Sequence, residues 1–168
     1  MNRPELFRSE DKAAALELHG MPGHLIRRMQ QIAVSIWLDE TGGDLRPVQY
    51  ATLSAVRHIP GMDQLELARI IGIDRSNAQE VLARLEKRDF LERLADPRDR
   101  RRRRLFITAA GEAALDQVEP ANIVAQSRIL DGLDDTEREL FLRLLSRLVL
   151  TNNHHSRAPA AVDGPRDD

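Results

Sequence analysis

Residues Arg93 to Thr108 read Arg-Leu-Ala-Asp-Pro-Arg-Asp-Arg-Arg-Arg-Arg-Arg-Leu-Phe-Ile-Thr. The Asp96-Pro97 pair is a turn signal, because an aspartate side chain bonds to nearby backbone and proline presets φ. Five consecutive arginines, Arg100 to Arg104, follow the turn and feed into the apolar stretch Leu105 to Thr108. With a second short apolar run at Phe90 to Ala95, the pattern predicts a two-stranded hairpin whose tip is strongly cationic. Such a hairpin suits a phosphate-bearing polymer.

The positive charge is local. Between Arg84 and Arg104 ten basic residues face five acidic ones, a balance of +5, while the 168-residue chain carries −2 overall, so the remainder carries −7. An acidic body with one basic stripe turns a single face to a polyanion and repels it elsewhere. Only two of the 25 cations are lysine, Lys12 and Lys87. The guanidinium fork grips phosphate bidentately and fits a narrow minor groove, although a GC-rich genome accounts for the same bias equally well.

Upstream of the hairpin, Asp63 stands three residues before Glu66, a capping-box-like start for a short helix Gln64 to Ile71 that Gly72 ends. A second helix opens near Asp74 and runs to about Arg88, its apolar side marked by Val81, Leu82 and Leu85. Two short helices joined by a tight glycine-containing turn are a helix-turn-helix, and the hairpin behind them is its wing. A helix beginning at Pro47 and ending before Ile59-Pro60-Gly61 precedes them.

Flanking this unit are two further apolar helices. From Pro22, Leu25, Met29, Ile32 and Ile36 recur at helical spacing until Gly42-Gly43. Asp134 and Glu137 resemble another capping box, opening a last helix with Leu140, Phe141, Leu144, Leu145, Leu148 and Val149 on one stripe. Between them Thr108 caps a long helix that Pro120 must kink or interrupt. The apolar faces of the first and last helices are wider than a small lobe can cover, which predicts a homodimer.

The fold expected is mainly α with a small β-wing: a winged helix-turn-helix plus N- and C-terminal dimerisation helices. Its parts are an N-terminal extension (1–21), a dimerisation helix (22–44), a DNA-binding lobe (45–108), dimerisation helices (109–152) and a tail (153–168) whose composition predicts disorder. The chain has no cysteine, which excludes disulfides, thiolate nucleophiles and cysteine-ligated zinc. A start without the apolar core of a signal peptide, and no membrane-spanning run, make it cytoplasmic in expectation. No nucleophile elbow, phosphate loop or convergent carboxylate motif suggests an enzyme, and no cofactor or metal is expected. The only histidine candidates for a metal, His19, His24, His154 and His155, have no carboxylate at zinc-like spacing.

The order of elements resembles the MarR family of bacterial transcriptional regulators over about residues 22–152. The similarity rests on Asp74-Arg75-Ser76-Asn77 opening the second helix of the motif, Arg84-Leu85-Glu86-Lys87-Arg88 closing it, and Asp96-Pro97-Arg98-Asp99-Arg100-Arg101 leading to Leu105-Phe106-Ile107-Thr108. The resemblance implies a dimer joined by its first and last helices that binds a near-palindromic operator on double-stranded DNA. It implies a repressor released by a small-molecule effector, the alternative being an architectural or adaptor winged-helix protein without ligand response. Arg46 stands where the family commonly has threonine, removing a helix cap, and Asn77 and Gln79-Glu80 also depart from the family's usual residues.

In this reading Arg75, Ser76, Asn77, Gln79 and Glu80 reach base edges or flanking phosphates in the major groove, and Arg84 closes the same face. Glu80 pairing with Arg84 on a solvated surface, and Ser76 serving as a helix-start cap, are the competing readings. On the wing, Asp99 and Arg101 are expected to brace the hairpin by a salt bridge, while Arg98, Arg100 and Arg102 reach the minor groove or backbone, with Arg101 counted at the same interface. For the effector, His24 and Arg28 lie one helical turn apart, with Trp37 and Tyr50 as aromatic walls for an aromatic acid whose carboxylate meets Arg28. Against this stand dimer-core packing for Trp37, ordinary packing for Tyr50 and a helix-start role for His24. The Pro22-Gly23-His24 opening followed by Arg27-Arg28 is similar to family members that control breakdown of aromatic acids.

Overall fold

A computed structural model describes residues 20–99 and 101–160. Most of the N-terminal extension, Arg100 at the wing tip and residues 161–168 of the tail lie outside the described residues. The described chain runs α1 (Pro22–Thr41), α2 (Pro47–His58), α3 (Gln64–Ile71), α4 (Arg75–Lys87), β1 (Leu91–Ala95), β2 (Arg103–Ile107), α5 (Ala109–Ile129) and α6 (Asp135–Asn152), then a 3-10 turn, Asn153–His155. It is a mainly helical fold with a two-stranded antiparallel wing. Among the described residues, no helix is long and apolar enough to cross a membrane.

Local chemistry sets the helix boundaries. Asp63 Oδ1 accepts the Leu65 and Glu66 N–H groups, both at 2.9 Å, and starts α3. Gly72 ends that helix at φ 68°, a left-handed conformation open to glycine at little cost. The α6 capping box forms in full: Asp134 Oδ1 accepts the Glu137 N–H at 2.9 Å and Glu137 Oε2 accepts the Asp134 N–H at 3.0 Å. Arg46 has no acceptor to cap α2 with. Gln49 Oε1 compensates from inside the helix by accepting the Arg46 N–H at 2.9 Å. Helix α5 runs through Pro120 to Ile129, so the interruption expected there does not occur.

The core of the lobe is leucine-rich. Leu53, Leu67, Leu82, Leu85, Leu105 and Leu115, from four helices and the wing, are all fully buried. Each contributes about 1.5–3 kcal/mol of transfer free energy. Trp37 joins this core from α1, its Nε1 donating to Leu45 O at 2.8 Å, which corrects its assignment to a dimer core. Helix α6, by contrast, buries none of its residues within the chain.

The wing is held by one buried carboxylate. Asp96, only 4% exposed, accepts the Arg98 N–H at 2.8 Å through Oδ1 and Arg104 Nε at 2.8 Å through Oδ2. Arg104 also donates from Nη1 to Gly61 O at 2.8 Å. Backbone bonds run alongside: Gly61 N–H to Leu105 O at 2.8 Å and Leu105 N–H to Met62 O at 2.9 Å. The α2–α3 linker thus borders β2 on the edge opposite β1. The expected brace between Asp99 and Arg101 is corrected accordingly: Asp99 Oδ1 accepts the Arg101 backbone N–H at 3.0 Å and shapes the tip turn, while the bracing ion pair is Asp96 with Arg104.

A second tight junction links the end of α4, the second helix of the helix-turn-helix, to α5. Asp89 adopts φ 57°, which aspartate tolerates better than most residues. Thr108 donates from Oγ1 to Asp89 O and accepts the Gly111 N–H at 3.1 Å, capping α5. Gly111 packs so closely that a Cβ there would stand 2.1 Å from Phe90 O. In the tail, Asn153 Nδ2 donates to Ala160 O at 2.8 Å and Ala160 N–H returns to Asn153 Oδ1 at 2.9 Å, so residues 153–160 form a closed turn where disorder was expected.

Two stability predictions follow from these contacts. Gly111→Ala should lower stability by about 3 kcal/mol in urea unfolding, near the top of the range for overpacking, because the obstruction is backbone. Gly23→Ala, with nothing within 4 Å of the new methyl, should be neutral or slightly stabilising, and equal effects of the two would refute the junction's tightness. The Asp96 carboxyl is held below its ordinary value, first by the Arg98 N–H and next by the Arg104 guanidinium. Its stabilisation is therefore complete above an unfolded value of about 3.9 and is lost as pH falls through the lower folded value. Asp96→Asn should lower the urea midpoint at pH 7 and flatten its decline in acid; parallel acid limbs for the two proteins would exclude this role.

Candidate nucleic-acid interface and effector crevice

Helix α4 buries Ala78, Leu82 and Leu85 and turns the opposite side outward. Arg75, Ser76, Asn77, Gln79, Glu80 and Arg84 are all exposed there. The helix start is organised by Asp74. Its Oδ1 accepts the Asn77 N–H at 2.9 Å and the Ser76 hydroxyl at 2.6 Å, and its Oδ2 accepts Asn77 Nδ2 at 2.8 Å. These bonds hold the Asp74 carboxyl below its ordinary value, the Asn77 N–H being the largest cause and the Ser76 hydroxyl the next, with Arg157 adding a favourable charge. The cap thus engages Ser76 through its hydroxyl and Asn77 through its amide NH2. Glu80 and Arg84 form their i, i+4 ion pair, with side chains 60% and 59% exposed, a surface pair worth only a few tenths of a kcal/mol.

Strand pairing sorts the wing's arginines. Arg93 pairs with Leu105 and Ala95 with Arg103 on one face, Leu94 with Arg104 and Glu92 with Phe106 on the other. Arg93, Arg101, Arg102 and Arg103 converge with Arg75 and the start of α3 around a cavity of about 330 Å³. Arg98 lies on the opposite side of the hairpin, beside Leu94, Pro97 and Phe106. Arg100 lies outside the described residues.

The sequence reading omitted Arg93 and Arg103. Alternation along a strand was the available signal, because a five-arginine run that enters a strand must send neighbouring guanidiniums to opposite faces. Arg93 is tied to Glu86 Oε2 at 2.7 Å, and its Nε is buried without a hydrogen-bond partner.

The four residues expected to line an effector site divide into two pairs. Trp37 and Tyr50 meet edge to face at 5.1 Å between ring centroids. His24 and Arg28 lie in the exposed first turns of α1, with His24 Nδ1 3.5 Å from Arg27 and Arg28 bonded to Gln31 at 3.4 Å. Nine residues separate Arg28 from Trp37, about 13 Å along the helix and half a turn out of phase at 3.6 residues per turn. A single chain therefore does not bring the four together. Around Tyr50 the structure adds residues not foreseen: its hydroxyl accepts Asn122 Nδ2 at 3.1 Å, and Glu119, bonded to Arg57 at 2.9 Å, lies beside it. Burial, then the Glu119 charge, pushes the Tyr50 phenol up from its ordinary value. Arg57 also reaches Asp116 at 3.1 Å and Glu112 at 3.9 Å, fastening α2 to α5.

Comparison with known proteins agrees with this architecture. The MarR family model matches residues 45–102, the lobe from α2 to the wing. The transcriptional regulator HosA of Escherichia coli is 32% identical over 126 residues, 75% of this chain and 93% of that protein. The crystal structure of the PcaV transcriptional regulator from Streptomyces coelicolor with its natural ligand superimposes with a TM-score of 0.75 at 32% identity, covering 79% of this chain and 94% of that one. BpsR of Bordetella bronchiseptica, whose DNA binding is regulated by 6-hydroxynicotinic acid, gives a TM-score of 0.73 at 27% identity, covering 76% and 92%. With this lobe, this wing and these relatives, the chain belongs to the MarR family of transcriptional regulators.

Proposed function

We propose that the chain acts as a homodimeric repressor that holds a near-palindromic operator and releases it when a small aromatic acid binds. The observation that carries this reading is the convergence of Arg75 with Arg93, Arg101, Arg102 and Arg103 between the recognition helix and the wing. A duplex seated there has its backbone between a helix in the major groove and a hairpin at the minor groove. Asn77 and Gln79 suit adenine, and Arg75 suits guanine or phosphate. Arg98, on the far side of the hairpin, is left out of this contact.

Dimer formation is supported by α6. Phe141, Leu144, Leu145, Leu148 and Val149 remain 36–57% exposed on one chain, and Leu25, Ile26 and Ile32 of α1 are similarly bare. Covering such a surface with a second copy is the ordinary solution, and two-fold symmetry matches a palindrome. An aromatic-acid effector is supported by BpsR and by the cationic start of α1. In this reading His24 and Arg28 take the carboxylate, the partner copy closes the crevice, and Tyr50 with Asn122 forms its polar edge. Trp37 backs Tyr50 as a wall and makes no direct contact, because its ring N–H already serves Leu45 O.

Footprinting on the DNA upstream of the chain's own coding region tests the regulator reading. Protection of a short palindrome, relieved by one of a panel of benzoic and pyridine carboxylic acids, is the expected result. Uniform protection of unrelated duplexes, indifferent to every acid, would instead indicate an architectural protein. Arg28→Ala should bind the same operator with unchanged affinity while the acid concentration for half-release rises at least tenfold, about 1.4 kcal/mol of lost binding. Unaltered release removes Arg28 from the effector site.

A further inference from the structure

We propose that residues 156–160 form a third element of the DNA-binding face, with Arg157 a backbone-phosphate contact beside the start of the recognition helix. The proposal rests on the DNA-binding reading above and adds a segment that neither the helix-turn-helix nor the wing contains.

The chain leaves α6 at Asn152 and turns back through the 3-10 turn. Asn153 then clamps the main chain of Ala160 at both its N–H and its carbonyl, closing an eight-residue loop with its own side chain. Inside that loop Ser156 Oγ accepts the Ala158 N–H at 3.1 Å. The clamped end lies against the turn of the helix-turn-helix: Ala160 Cβ is 3.7 Å from where a Cβ on Gly72 would stand, ordinary van der Waals contact. Ala158 and Ala160 are half-buried, whereas Arg157 is exposed.

Arg157, Ala158 and Pro159 form one wall of a cavity of about 380 Å³ whose other walls include Arg69, Asp74 and Arg75. Three guanidiniums from three separate elements thus surround the entrance to α4. The only carboxylate among them is Asp74, and three guanidiniums against one carboxylate leave the lining net positive. Arg75 lines this cavity and also the wing-side cavity, so the cationic surface runs from the wing across the recognition helix to Arg157. A planar, always-charged guanidinium at the end of that stripe suits a phosphodiester oxygen.

The test compares the full chain, Arg157→Ala, Arg157→Lys and a chain ending at Ser156 on two duplexes, the footprinted operator and an unrelated sequence, across a salt series. Arg157→Ala and the truncation should weaken binding about threefold to tenfold on both duplexes and lower the slope of log K against log salt by about one, the signature of one lost phosphate contact. Arg157→Lys should keep the slope. Thermal melts of Arg157→Ala should match the parent, because the residue is exposed. Unchanged affinity and slope in Arg157→Ala, with the parent binding normally, overturns the proposal while leaving DNA binding intact. Tighter binding by the truncated chain also overturns it, since the segment would then obstruct the face. A parent that binds neither duplex removes both readings together.

Discussion

Asp96 governs how the cationic surface is built. Its carboxylate is nearly inaccessible to water, yet it carries a charge, so it needs compensation from donors fixed in place. Arg104 and the Arg98 N–H supply that compensation, and Arg104 in turn ties the wing to Gly61 in the linker before α3. One arginine of the run is thereby structural. Arg103, on the other face of β2, and Arg101 and Arg102 before the strand are left to converge with Arg75.

The same lobe is fastened to the rest of the molecule at two places on α5. At its start, Thr108 and Gly111 abut the Asp89-Phe90 exit of the recognition helix so closely that no side chain fits between them. One to three turns further along, Glu112, Asp116 and Glu119 hold Arg57 of α2, and Asn122 holds Tyr50. A ligand acting near Tyr50 would therefore press on a helix whose first turn touches the end of the recognition helix.

Much of the fold was legible because its signals are local. Asp63, Asp74, Thr108 and Asp134 announce helix starts through side-chain oxygens that accept backbone N–H groups within three residues, and all four do so. Gly72 and the Asp96-Pro97 turn were readable for the same reason. The partners of Asp96 were not. Its ion pair spans eight residues, Arg104 reaches back 43 residues to Gly61, and nothing in a run of identical arginines marks which one turns inward. Pro120 was expected to kink or interrupt the helix; α5 is uninterrupted through it to Ile129 and packs against α1 and α2.

By itself, then, the sequence determined where helices begin and end, that a basic hairpin follows a helix-turn-helix, and which faces are apolar, because capping, periodicity and charge run-lengths are properties of neighbouring residues. Only the tertiary structure decided that Trp37 belongs to the subunit's own core, that Arg93 and Arg103 join Arg75, and that Arg157 returns to the recognition helix. Those facts depend on contacts between segments far apart in the chain. Their energy comes from burying leucines and satisfying carboxylates across elements, and no window of adjacent residues contains both sides of such a contact.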